Sequence, residues 1–186
     1  MNFNRHSNLA GTHAFLSPSK CSWVNYDIDK LDRVWFASQE AKRGTELHAL
    51  AHQAIRLGVR LPDNGTTLSL YVNDAIGYKM TSEQILFYSD NCYGHADCIG
   101  FRNNKLRIHD LKTGVNETSI GQLQVYAAIF CLEYRFKPFE IEMELRIYQN
   151  DEVKVYEPES DDIFHVMDRI ITFDKRLRDL REMAQF

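Results

Sequence analysis

The chain has 186 residues, 44% hydrophobic and 26% charged. This is the balance of an ordinary soluble globular protein, and the length fits one domain with a full core better than two. A net charge of −4 excludes a general polycation, so a nucleic-acid partner has to meet a local basic patch.

The chain is read as a single domain over 1–186, with 1–15 as an N-terminal arm and 160–186 as a C-terminal helix. Ser17-Pro18-Ser19-Lys20 predicts a short helix running to about residue 26, with Ser17 as N-cap and Pro18 at the first helical position. Residues 31–57 predict the first long helix: Leu47, Leu50, Ala51, Ala54 and Ile55 recur at helical spacing, and Gly58 ends it. His48 and His52 are one turn apart on it. Residues 59–66 form a loop by Pro-Asp-Asn-Gly chemistry, and 67–80 suggest a second helix, with Gly77 and the β-branched residues counting against it. Residues 83–89 read as a strand.

A β-hairpin follows, with arms 96–101 and 105–111 joined by Arg102-Asn103-Asn104. A hairpin sets the start of one arm beside the end of the other, so Asp97 and Asp110 meet across it although thirteen positions separate them. Asp110 and Lys112 share a face because side chains alternate along a strand. Two carboxylates and an ammonium at one sheet end would suit a metal and water-activation site.

Residues 118–136 predict a helix with Ile120, Leu123, Tyr126, Ala127, Phe130 and Cys131 as its apolar stripe. Residues 139–149 alternate as a half-buried strand, 153–156 as its short partner, and Ser160 opens the last helix. Lys175 to Arg181 is a basic run read first as a solvated helix face. The order is that of a mixed α/β fold. Cys21, Cys92, Cys98 and Cys131 form no C-x-x-C pair and are expected to be reduced and mostly buried. No apolar run approaches the roughly 20 residues of a membrane span, and the first residues lack a signal peptide's apolar region. A cytoplasmic protein with no membrane partner is the expectation.

Four signals stand in order: Gly44-Thr45-Glu46-Leu47-His48, Gly94-His95-Ala96-Asp97, Asp110-Leu111-Lys112, and Gln122-Leu123-Gln124-Val125-Tyr126. Together with Phe15-Leu16-Ser17-Pro18-Ser19 they resemble the PD-(D/E)xK nuclease superfamily, in its RecB-like branch of phage-type exonucleases, over about residues 13–150. The resemblance implies a restriction-endonuclease-like core, a central mixed β-sheet flanked by helices. It also implies one or two Mg²⁺ or Mn²⁺ ions on His48, Asp97, Asp110 and the main-chain carbonyl of Leu111. Lys112 would hold or activate the attacking water, and Gln122 and Tyr126 would position the DNA backbone and the Lys112 end of the site. Glu46 lies about 200° round the helix from His48 and cannot easily share its metal.

The implied function is metal-dependent DNA cleavage, as an exonuclease of phage or mobile-element recombination or replication (in the host cytoplasm if phage-encoded). DNA is the implied partner, and whether a single-strand annealing protein joins it is left open. Two other readings are a CRISPR-associated-type nuclease that processes DNA ends and a catalytically silent relative that binds DNA or protein. Some RecB-like relatives carry an iron–sulfur cluster on four cysteines; Cys21 could match the first, but no cysteine follows Cys131, so no cluster is expected. Neither cleavage polarity nor oligomeric state is implied.

Overall fold

A computed structural model describes residue 7 and residues 14–114, 116 and 118–184. Most of the expected arm lies outside the described residues. The chain divides into two compact units, Met1–Arg43 and Gly44–Phe186, and helix α1 (Ile28–Leu57) contributes residues to both.

In the first unit, the helix expected at 17–26 is instead a 3-10 segment, Pro18–Asn25, broken at Lys20 (φ −122°, ψ 56°). Ser17 does not cap it: its hydroxyl pairs with Ser19 Oγ at 2.9 Å, while its carbonyl accepts from Trp23 Nε1 at 3.0 Å. The chain thus satisfies these groups locally rather than through an α-helical ladder. Helix α1 starts three residues before the expected position because Asp27 caps it, accepting the amide of Lys30 at 2.7 Å.

The second unit contains the rest of α1, helix α2 (Thr67–Gly77), strands β1 (Thr81–Ser89), β2 (Cys92–Arg102) and β3 (Lys105–Leu111), helix α3 (Gly121–Tyr134), strands β4 (Glu142–Gln149) and β5 (Glu152–Tyr156), and helix α4 (Ser160–Ala184). The fold is α/β, with one five-stranded mixed sheet flanked by helices. The strand order is β1-β2-β3-β4-β5; β3 and β4 are parallel and every other pair is antiparallel.

Local chemistry sets the boundaries. Gly58 ends α1 at φ +67°, as its position predicts. Thr66 caps α2 by accepting from the Ser69 amide. The β2–β3 turn is tighter than expected: Arg102 pairs with Lys105, and only Asn103 and Asn104 turn, at φ 51° and 60°. Two residues of positive φ are what a type I′ hairpin requires, and asparagine tolerates them. Asn150 and Asp151 (φ 53° and 59°) repeat this between β4 and β5. Asp151 also accepts from the amide and hydroxyl of Thr67 at 2.7 and 3.0 Å, a carboxylate at a helix N-terminus.

Two cores lie on the two faces of the sheet. Leu123, Ala127, Ala128, Phe130 and Cys131 of α3 and Ile163 of α4 pack on Leu86, Leu106, Ile108, Leu145 and Ile147. Ala51, Ala54 and Ile55 of α1 and Tyr71, Val72 and Ala75 of α2 pack with Cys98, Leu111 and Tyr148 on the other face. Leu50 is not part of that stripe; it is 48% exposed on the flank of α1. Of the cysteines, Cys98 and Cys131 are buried, Cys92 is half-buried and Cys21 is exposed. Among the described residues, no helix is long and apolar enough to cross a membrane.

Strand β4 departs most from its pattern. It begins at Glu142, because Pro138–Glu140 form a 3-10 turn, and most of it is buried rather than half-buried. It is an interior strand, and its polar alternates pair with one another beneath α2. Glu144 accepts from Arg107 and Arg146 at 3.2 and 3.0 Å, and Arg146 and Tyr148 both donate to Asp74, at 2.9 and 2.8 Å. A buried polar face is tolerated when its members satisfy each other.

The same network reaches His109, which is fully buried. Since the Tyr148 hydroxyl donates to Asp74, His109 Nδ1, 3.1 Å from that oxygen, is the donor to it, and Nε2 keeps a lone pair with no partner. Burial, followed by the charges of Arg146 and Arg107, pushes its pKa down to about 3. The folded pKa is depressed below the unfolded value, so the unfolded chain binds the proton first and stability is lost as pH falls from about 6.5 towards 3. Going from pH 7 to pH 5 should therefore cost about 2 kcal/mol at this residue. Urea titrations at both pH values check this, with His109→Phe showing a shallower pH dependence than the wild type.

Candidate metal centre

Chemistry-bearing side chains gather where α1, the β1–β2–β3 meander and α3 meet. The pleat of β2 breaks there. Ala96 and Cys98 are two residues apart, yet Ala96 belongs to the α3-side core and Cys98 to the α1/α2-side core. Asp97 stands between them. Glu83 lies opposite Asp97 on β1, between the pairs Ser82–Cys98 and Gln84–Ala96, and adopts φ +54°. A non-glycine residue in that region marks a locally constrained backbone.

His48 comes to this point from α1, with Nδ1 3.6 Å from Asp97 Oδ2. That distance is too long for a hydrogen bond. His48, Glu83 and Asp97 each offer one ligand atom, and these atoms lie within 4.8 Å of one another. Asp97 Oδ2 also accepts the amide of Leu111 at 2.9 Å, which locks β2 to the end of β3.

Asp110 lies one step beyond the Cys98–His109 pair, opposite Asp97 in register. It shares its strand face with Leu106 and Ile108, towards α3. Lys112 Nζ donates to Asp110 Oδ1 at 3.1 Å and lies 2.9 Å from Oδ2. Oδ2 itself is buried and accepts no aligned hydrogen bond. The ammonium continues to Gln122 Oε1 at 2.9 Å. Gln122 Nε2 then lies 3.4 Å from the Tyr126 hydroxyl, which donates to the carbonyl of His95. One chain of polar contacts thus joins Asp110, Lys112, Gln122 and Tyr126, and returns to β2 two residues before Asp97.

Burial raises both carboxyls above their ordinary range. For Asp97 desolvation is the main cause, with the Leu111 amide and His48 opposing it. For Asp110 desolvation comes first and the charge of Asp97 second, with Lys112 opposing. Two partly desolvated carboxylates side by side favour a proton or a cation between them.

Of the expected ligands, His48 and Asp97 come together. Asp110 is drawn to Lys112 instead, and Glu83 takes the third place in the ligand cluster. Leu111 contributes its amide to Asp97, and its side chain is core. Glu46 is exposed and is not among the clustered ligand atoms. Glu83 escaped the sequence reading. A two-residue turn at Asp90-Asn91 would put Glu83 opposite Cys98, and only a register shift between Phe87 and Ser89 moves it opposite Asp97. The basic run on α4 is partly neutralised, Arg178 lying 2.9 Å from Asp174.

Gly94 explains itself sterically. A Cβ there would come within 3.0 Å of the Tyr126 ring. Gly94→Ala should displace that ring by a few tenths of an ångström, weaken its bond to His95, and loosen the Gln122–Lys112 end of the site. The expected outcome is faster amide hydrogen exchange at the start of α3 with a change of less than about 1 kcal/mol in unfolding free energy. Hydrogen exchange and urea titration of the same preparation check both halves.

Comparison with family models, with curated proteins and with solved structures finds no match to this chain.

Proposed function

We propose that this chain is a metal-dependent deoxyribonuclease of the PD-(D/E)xK type, in the RecB-like branch, with a restriction-endonuclease-like core. In this reading it acts as an exonuclease in phage or mobile-element recombination or replication, in the host cytoplasm. The observation that carries the proposal is the Asp97–Asp110–Lys112 arrangement at the sheet end, with His48 and Glu83 on one side of it and Gln122 and Tyr126 on the other.

The donor set suits a hard divalent cation. It offers carboxylate oxygens and one imidazole, Asp97 and Asp110 are partly desolvated while Glu83 is exposed, and Asp110 Oδ2 is buried without an aligned partner. His48, Glu83 and Asp97 would hold Mg²⁺ or Mn²⁺, with Asp110 adjoining. When bound, such an ion polarises a phosphate oxygen and lowers the pKa of a coordinated water. The remaining chemistry belongs to the side chains. Asp110 and Gln122 fix the Lys112 ammonium from two sides, so it meets developing negative charge without reorganising. Tyr126, tethered to His95, holds Gln122 in place. Asp97, bonded to the Leu111 amide, keeps β2 and β3 in register at the site.

The test is incubation with linear and circular, single- and double-stranded DNA, with Mg²⁺, Mn²⁺ or chelator. Degradation of linear DNA that needs the metal is expected. Cleavage of closed circles removes the exonuclease part, and no cleavage under any condition removes the nuclease reading.

A further inference from the structure

The geometry points to His52 as a positioning residue that holds Glu83 in the cation cluster. This rests on reading His48, Glu83 and Asp97 as a cation site. His52 is one turn beyond His48 on α1, and the two imidazoles reach adjacent strands. His48 Nδ1 approaches Asp97 on β2; His52 Nδ1 lies 2.8 Å from Ser82 Oγ on β1. Ser82 immediately precedes Glu83, which carries the positive φ, and it pairs with Cys98, the residue after Asp97. The His52–Ser82 bond therefore ties α1 to the backbone step where the pleat breaks.

Without that tie, α1 no longer fixes the backbone step at Glu83, and relaxation of its positive φ shifts the carboxylate relative to His48 and Asp97. Helix α1 thus supplies a ligand through His48 and sets a second ligand's backbone through His52. Both functions come from one helical turn, so a shift of α1 moves the two ligands together.

The test is Mn²⁺ affinity, read by the electron paramagnetic resonance signal of free Mn²⁺ without DNA. His52→Ala and Ser82→Ala should each weaken binding about tenfold, and the double variant should lose no more than either alone. His52→Asn keeps a polar atom where Nδ1 sits and should bind within about threefold of wild type. In a Glu83→Gln background, His52→Ala should change affinity less than about twofold, because the residue acts through Glu83. Thermal melts confirm that each variant is folded. Wild-type affinity in His52→Ala, or a tenfold loss that persists in the Glu83→Gln background, overturns the proposal and leaves the cation site standing. Absence of Mn²⁺ binding by the wild type overturns the site and the proposal together.

Discussion

Asp97→Ala should reduce DNA cleavage at least about 10³-fold, equivalent to about 4 kcal/mol of transition-state stabilisation. The substitution removes a ligand atom of the His48–Glu83–Asp97 cluster, the acceptor for the Leu111 amide and the negative neighbour of Asp110 at once. Asp97→Asn separates these losses. It keeps an oxygen for the Leu111 amide but lacks the charge, so it should be about as inactive as the alanine variant while folding at least as stably as wild type. The sign follows from the raised pKa: burial disfavours the charged form, so a neutral isostere relieves the folded state above that pKa. Cleavage rates and urea titrations of both variants check this. An active Asp97→Asn would mean that the carboxylate serves the strand pairing alone.

Leu123→Ala should destabilise the protein by about 3–5 kcal/mol, the range for removing a fully buried leucine whose surroundings cannot collapse. Leu123 has no exposed surface and sits in the first turn of α3, between Gln122 and the turn that carries Tyr126. Its side chain joins the core against the sheet while its neighbour reaches Lys112. The cavity therefore lies beneath the polar chain of the site. Urea unfolding should show a lower midpoint with an unchanged slope, and residual activity should fall at temperatures well below the midpoint as α3 loosens. A loss under 1 kcal/mol would show that α3 is not seated on the sheet as described.

Much of this architecture is legible in the sequence for identifiable reasons. Gly58 beyond an apolar-periodic run, the strand–turn–strand pattern before Lys112 and the apolar stripe of α3 each have a local cause, and local causes survive folding. The site acids are readable because a hairpin converts sequence distance into cross-strand contact, as Asp97 and Asp110 show. What is not legible depends on partners elsewhere. Strand β4 looks half-buried because its polar residues alternate; their burial requires Asp74 of α2 and Arg107 of β3, which no local pattern announces. Glu83 is hidden by the register shift between Phe87 and Ser89, and a shift of one position is enough to change every cross-strand pairing. The capping role of Asp27 was readable in principle, but the apolar period that marks α1 begins later than its cap.

The proposed phosphodiester cleavage runs through the Asp110–Lys112 pair with a divalent ion. The most direct measurement is the initial rate of nucleotide release from end-labelled linear DNA in Mn²⁺, for the wild type, Asp110→Ala and Lys112→Ala, with chelator added midway. Release by the wild type that stops on chelation, with both variants slower by about 10²-fold or more, is the predicted result. Release that continues in chelator, or that proceeds at the wild-type rate in both variants, would contradict it.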